Sequence, residues 1–168
     1  MTAYTDQALM RIATRVGLRL GRSKRSLCAA ESCTGGFISK TITDISGSSR
    51  WFTEGFVSYS NQAKQESLGV PNSTLREHGA VSEATARAMA AGALRRARVD
   101  VAVAVTGIAG PGGGVPGKAV GTVWLAWAQR QGRRVTVAAE LRHFRGDRDV
   151  VRRKTVRAAL LGLNRLRF

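Results

Sequence analysis

Leu27-Cys28-Ala29-Ala30-Glu31-Ser32-Cys33-Thr34-Gly35-Gly36 is an apolar run that stops at a small hydroxyl and a glycine pair. Such a run predicts a buried strand over 26–31, a tight turn, and a helix over 34–42 that turns Phe37, Ile38 and Ile42 inward. A strand feeding a turn and then a helix is an α/β unit. It holds the Ser32 oxygen at the edge of a sheet, beside free backbone N–H groups.

The flanking sequence repeats the alternation. Upstream, Thr5 or Asp6 caps a helix whose apolar residues Leu9, Ile12, Val16 and Leu20 recur at helical spacing until Gly21. Downstream, 54–60 alternates, with Phe56 and Ser58 on one face and Val57 and Tyr59 on the other, which predicts a strand. A short helix over 61–68 stops at Gly69, and Asn72 or Ser73 caps another turn that ends at Gly79. Ser82 caps an alanine-rich helix over 83–98. Residues 99–105 are almost wholly apolar, as in a strand buried on both faces. A Gly/Pro loop over 106–117 precedes strands at 121–128 and 134–144, joined as a hairpin at Gln131-Gly132. Asp147 caps the last helix. The order predicts an α/β fold: a three-layer α/β/α sandwich with a mixed, mostly parallel sheet. In such sheets the loops after Glu31, Tyr59 and Val105 gather at one edge, where sites form.

The 168 residues are 43% hydrophobic and 23% charged, which predicts one domain over 1–168 with a sizeable core. No stretch is long enough to span a bilayer, and residues 1–11 lack the apolar centre of a secretory signal. Cys28 and Cys33 are too few for a disulfide framework and lack the neighbours of a metal site. A reducing cytoplasm is the expected setting, with no membrane, metal or organic cofactor. The formal charge of +16 would attract nucleic acid or a phosphorylated substrate. The arginines are scattered rather than interleaved with aromatics, so a solvated basic surface is favoured over a nucleic-acid site. Arg152 and Arg153 are read as part of that surface.

Ser32 is a candidate nucleophile, although a serine before Gly-Gly also makes an ordinary helix cap. Cys33 is its rival, unless the strand turns it into the core. Tyr59 and Lys64 offer a phenol and an amine, two side chains able to take the serine proton where histidine is lacking. Lys64 needs a lowered pKa for that task. His78 and His143 have no motif around them. Thr106-Gly107-Ile108-Ala109-Gly110-Pro111-Gly112-Gly113-Gly114 follows the most buried strand and would let N–H groups approach a phosphate or oxyanion. It is neither a Walker loop nor a dinucleotide fingerprint. Arg145, in Phe144-Arg145-Gly146-Asp147-Arg148, is free to pair with an anion.

Taken together, these blocks resemble the C-terminal domain of the competence/damage-inducible CinA family, which also occurs as a stand-alone nicotinamide-nucleotide amidohydrolase. The resemblance includes Ala30 to Gly36, Thr43-Asp44-Ile45-Ser46-Gly47-Ser48-Ser49, Phe56 to Lys64 and His78-Gly79-Ala80-Val81-Ser82. It continues through Ala104 to Gly113, Val120-Gly121-Thr122-Val123 and Phe144 to Arg148. In one departure, Lys118 is followed by Ala119 where the family usually has Lys-Pro.

The resemblance implies an α/β/α sandwich and deamidation of nicotinamide mononucleotide to nicotinate mononucleotide and ammonia. It matches the serine nucleophile to Ser32, the lysine to Lys64 and the tyrosine to Tyr59, with no cofactor. Expected substrate contacts are Thr34, Gly35, Gly36, Ser48, Ser49, Asn61, Thr106, Gly107, Gly110, Gly112, Gly113 and Arg145. The expected partner is a small nucleotide, and the chain is expected to form a homo-oligomer. The alternative is a non-catalytic module of competence or DNA damage response that acts through its basic surface.

Overall fold

The computed structural model describes residues 4–167; Met1–Ala3 and Phe168, which the sequence reading assigns to the same domain, lie outside them. The element order is α1 (Asp6–Arg22), β1 (Leu27–Glu31), α2 (Phe37–Thr43), β2 (Phe52–Val57), α3 (Asn61–Leu68), α4 (Asn72–His78), α5 (Glu83–Arg96), β3 (Val101–Gly107), β4 (Thr122–Gln131), β5 (Arg134–His143) and α6 (Arg148–Leu163). The five strands form one sheet in the order β2-β1-β3-β4-β5.

The caps are local chemistry. Thr5, Ser82 and Asp147 each accept a backbone N–H of the first helical turn, as predicted, and Ser60 does the same for α3. The α2 helix starts later than the sequence suggests, at Phe37. Gly35 and Gly36 take φ of +58° and +91°, a left-handed turn that α-helical geometry excludes.

Alternation along the strands builds two unlike cores. Val101, Val103 and Val105 of β3 join Leu27 and Ala29 of β1 and Val123, Leu125 and Trp127 of β4 on the face covered by α1, α2 and α6. Ala102 and Ala104 join Cys28, Ala30, Ala126 and Ala128 on the face covered by α3, α4 and α5. Small strand residues meet Ala86, Ala90 and Ala93 of α5, so that helix packs close to the sheet. This is the expected α/β/α sandwich.

The sheet is mixed, but "mostly parallel" needs correcting. The β1 strand runs parallel to β2 and β3, whereas the β3/β4 and β4/β5 ladders are antiparallel. The reason is the connections. A loop, not a helix, leads from β3 to β4, so the chain returns beside β3 without a crossover. Gln131 then pairs with Arg134 across a two-residue turn.

The parallel strands end level, with Glu31 opposite both Val57 and Val105. The Ser32 N–H donates to Val105 O at 3.1 Å, and the Ser58 N–H to Glu31 O at 2.9 Å. These two bonds anchor both loops to the carboxyl edge of the sheet. No helix among the described residues is long and apolar enough to cross a membrane.

Candidate active site

Ser32 and Lys64 meet at that edge. Lys64 Nζ lies 3.1 Å from Ser32 Oγ. The lysine comes from the first turn of α3, where Ser60 caps the helix. Its side chain is 1% exposed, the largest fully buried side chain among the described residues. Nζ donates to Ser58 O at 3.0 Å and Tyr59 O at 3.1 Å, with Ser60 O at 3.5 Å. No carboxylate pairs with it among the described residues. Burial therefore holds its pKa below the ordinary lysine value, because desolvation disfavours the ammonium. The Cys33 thiolate would oppose that shift, but burial pushes the Cys33 thiol up to about 12 and keeps it neutral. The same burial removes Cys33 as a rival nucleophile.

Glu31 makes the turn rigid, a role the sequence reading did not assign. Its carboxylate is fully buried. It accepts from Thr34 Oγ1 at 2.6 Å, Ile38 N at 2.9 Å, Ser39 N at 2.8 Å and Ser39 Oγ at 2.8 Å. A strand residue thus caps α2 where Gly36 has no side chain to do so. Within the turn, the Gly35 N–H is taken by Ser32 O and the Phe37 N–H by Thr34 O. The N–H groups of Cys33 and Thr34 donate to no other residue among those described.

Around the pair lies a cavity of about 190 Å³, lined among others by Tyr59, Asn61, Thr106, Gly107 and Arg148. Thr106 Oγ1 donates to Ala80 O at 2.7 Å, which ties the loop before α5 to the cavity wall. A Cβ at Gly107 would come within 2.7 Å of Thr122 O, so glycine permits the close approach of β4. No lining residue is acidic. A larger cavity of about 800 Å³ lies elsewhere, beside Gly17, Arg50 and Trp51, and contains no nucleophile–base pair. Among the described residues, no three His, Cys, Asp or Glu side chains gather to hold a metal.

Several expected contacts lie elsewhere. Ser48 and Ser49 precede Trp51, whose carbonyl accepts from Leu27 N at the start of β1, so they occupy the opposite edge of the sheet. Arg145 faces a different cleft beside Tyr4 and Lys154. Gly112 and Gly113 are exposed in the loop and do not line the cavity. Thr34, Gly35 and Gly36 build the turn rather than the wall. Gly110 contributes its carbonyl, which accepts from Arg148 Nη1 at 2.7 Å. Tyr59 lines the cavity but is 61% exposed, and its Oη accepts from Arg148 Nη2 at 3.2 Å. No hydrogen bond joins that Oη to Ser32 or Lys64 among the described residues.

Arg148 replaces Arg145 as the cation at the cavity. Arg152, read as a solvated helix charge, donates from Nη2 to Thr34 O at 2.7 Å. These two residues are four apart on one face of α6, and that spacing was the available signal. At the Lys118-Ala119 departure, Val115 and Lys118 exchange both backbone bonds, and Lys118 Nζ reaches His78 O at 3.1 Å.

Residues 9–166 match the CinA C-terminal domain family. The chain belongs to that family. It is 51% identical over 156 residues to the nicotinamide-nucleotide amidohydrolase PncC of Escherichia coli K12, covering 93% of each chain. A protein of the same name from Pseudomonas putida is 51% identical over 155 residues, covering 92% of this chain and 94% of that one. The crystal structure of the competence/damage inducible protein CihA from Agrobacterium tumefaciens superposes with a TM-score of 0.86 at 44% identity, over 96% of this chain and 97% of that one.

Proposed function

We propose that this CinA-family chain is a nicotinamide-nucleotide amidohydrolase, which converts nicotinamide mononucleotide and water to nicotinate mononucleotide and ammonia. The observation that carries the reading is the buried Lys64 amine 3.1 Å from Ser32 Oγ. A buried lysine with no carboxylate partner is costly to keep for packing alone. The curated PncC relatives support the substrate class.

Neutral Lys64 uses its two N–H bonds on the Ser58 and Tyr59 carbonyls, which leaves its lone pair for the Ser32 hydroxyl. Ser32 Oγ attacks the carboxamide carbon and Lys64 takes the proton. The oxyanion forms beside the unoccupied Cys33 and Thr34 N–H groups. The resulting ammonium returns its proton to the amide nitrogen as the C–N bond breaks, and ammonia leaves. A water molecule then gives a proton to Lys64 and attacks the ester carbon. Collapse frees the carboxylic acid as the Lys64 ammonium returns its proton to Ser32, and the acid then loses its own proton to solvent as the carboxylate. The 190 Å³ cavity accommodates the carboxamide and part of the ring, so the ribose phosphate lies outward. Arg148 is the phosphate contact of this reading. Tyr59, hydrogen-bonded to Arg148, closes the cavity mouth and exchanges protons with solvent. The buried, unpaired thiols Cys28 and Cys33 suit a reducing cytoplasm.

Incubating the chain with nicotinamide mononucleotide and measuring ammonia tests the assignment. Absence of turnover, in a chain shown to be folded, overturns it.

A further inference from the structure

A second cleft, of about 410 Å³, lies beside the end of β5. The chemistry at Ser32 makes no use of it. Five cations line it: Arg142, Arg145, Lys154, Arg157 and Arg165. They are dispersed in the sequence, and the fold brings them together by laying α6 beside the end of β5. No acidic side chain lines the cleft.

Outside the cleft, three of the described Lys and Arg side chains have carboxylate partners. Arg153 pairs with Asp6 and Asp149, Arg87 with Glu83, and Lys40 with Asp6 and Asp44. At this cleft only Glu140 serves, and it serves Arg142 and Arg165. Arg145, Lys154 and Arg157 have no carboxylate partner among the described residues. Two of them are instead held in place. Lys154 Nζ donates to Arg145 O at 2.6 Å, and Lys154 and Arg157 lie 5.6 and 5.9 Å from the centre of the Tyr4 ring. An aromatic ring and a carbonyl fix these charges without neutralising them. Like charges gathered this way repel unless an anion joins them.

We propose that this cleft binds a compact oligophosphate, a chain of two or more phosphates, either free or attached to a nucleoside. Even with Glu140 shared between Arg142 and Arg165, the five cations offer more charge than a single phosphate requires. A cleft of this volume encloses a small ligand rather than tracking a strand. Single-stranded nucleic acid needs aromatic faces for its bases; here the Tyr4 ring is covered by cations and Phe144, the other aromatic of the lining, packs against the core. The proposal is independent of the reading at Ser32.

Calorimetric titration of the full chain at physiological salt tests it, with inorganic tripolyphosphate, a nucleoside triphosphate, inorganic phosphate and a single-stranded DNA oligonucleotide as probes. The expected result is saturable one-to-one binding of tripolyphosphate, at least about tenfold tighter than inorganic phosphate. Equal affinity for the nucleoside triphosphate assigns recognition to the phosphate chain, and tighter binding assigns part of it to the nucleoside; both support the cleft. Lys154→Glu with Arg157→Glu should weaken tripolyphosphate at least about tenfold while ammonia release stays within about twofold. If that pair unfolds, Arg157→Gln alone should weaken binding several-fold. No saturation by either oligophosphate overturns the proposal, as does unchanged affinity in the folded variants. Displacement of tripolyphosphate by nicotinamide mononucleotide places the anion at Ser32 and overturns it too. DNA binding that depends on these residues, without competition from tripolyphosphate, makes the surface a nucleic-acid contact instead.

Discussion

Lys64 and Lys40 sit on opposite faces of the sheet and carry opposite electrostatics. Lys64 is enclosed by α3 and the carboxyl edge of β1 and β2, with carbonyls and a serine hydroxyl around Nζ. Burial lowers its pKa. Lys40 stands on α2 with half its side chain exposed, 2.7 Å from Asp44 and 3.4 Å from Asp6. The hydrogen bond to Asp44 raises its pKa. One side-chain type loses its proton more readily where carbonyls and packing surround it, and holds it more firmly where carboxylates do. Chemistry on this molecule therefore follows desolvation rather than cavity size. The 190 Å³ cavity holds Ser32 and Lys64, the nucleophile and base proposed above, and the 800 Å³ cavity holds neither residue.

The comparison breaks most sharply at the nucleophile. Ser32→Ala should reduce ammonia release by about a thousandfold or more, with a melting temperature close to wild type. Wild-type turnover in a folded Ser32→Ala chain would sink the assignment. At the base, Lys64→Arg should be as damaging as Lys64→Ala, about a hundredfold or more, because arginine keeps the charge but cannot release its proton. Substantial turnover in Lys64→Arg would reduce the lysine to a positive charge.

The pH dependence sharpens the contrast. Activity needs neutral Lys64, so kcat/KM should climb as pH rises, with a midpoint below the ordinary lysine pKa of about 10.4. Stability carries the same sign. Between the lowered folded pKa and the unfolded value, the unfolded chain binds the extra proton, so wild type gains stability relative to Lys64→Met as pH rises through that window. Below the folded pKa the difference between the two should be flat. Parallel unfolding curves across the window would contradict the lowered pKa.

Smaller effects are expected outward. Arg148→Ala should raise KM for the nucleotide about tenfold with kcat less affected, since it removes binding shared by ground and transition states. A KM unchanged in Arg148→Ala would move the phosphate contact. Lys40→Gln is the control and should leave turnover within about twofold. A large loss there would remove the basis of the comparison.

Much of this was legible from residues alone. The caps Thr5, Ser82 and Asp147 act over three residues, and side-chain oxygens meet their N–H partners through local geometry. The Val-Ala alternation of β3 signals a strand buried on both faces, and it is one. Ser32 and Lys64 were also readable as candidates. The motif Phe144 to Arg148 points to Arg145, but the phase of α6 turns Arg148 to the Ser32 cavity and leaves Arg145 at another cleft. Ser48 and Ser49 come before β2 in the chain and so flank its amino end, away from the carboxyl edge where Ser32 and Lys64 meet.

Local patterns suffice for the elements, their order, the α/β layering and the candidate chemistry, since each depends on periodicity, capping or side-chain type within a few residues. Only the tertiary structure decided that Lys64 reaches Ser32 across 32 positions, that Glu31 caps α2, and that Cys33 is silenced. A pKa depends on the water and charges that packing removes or brings near, and those neighbours come from distant parts of the chain.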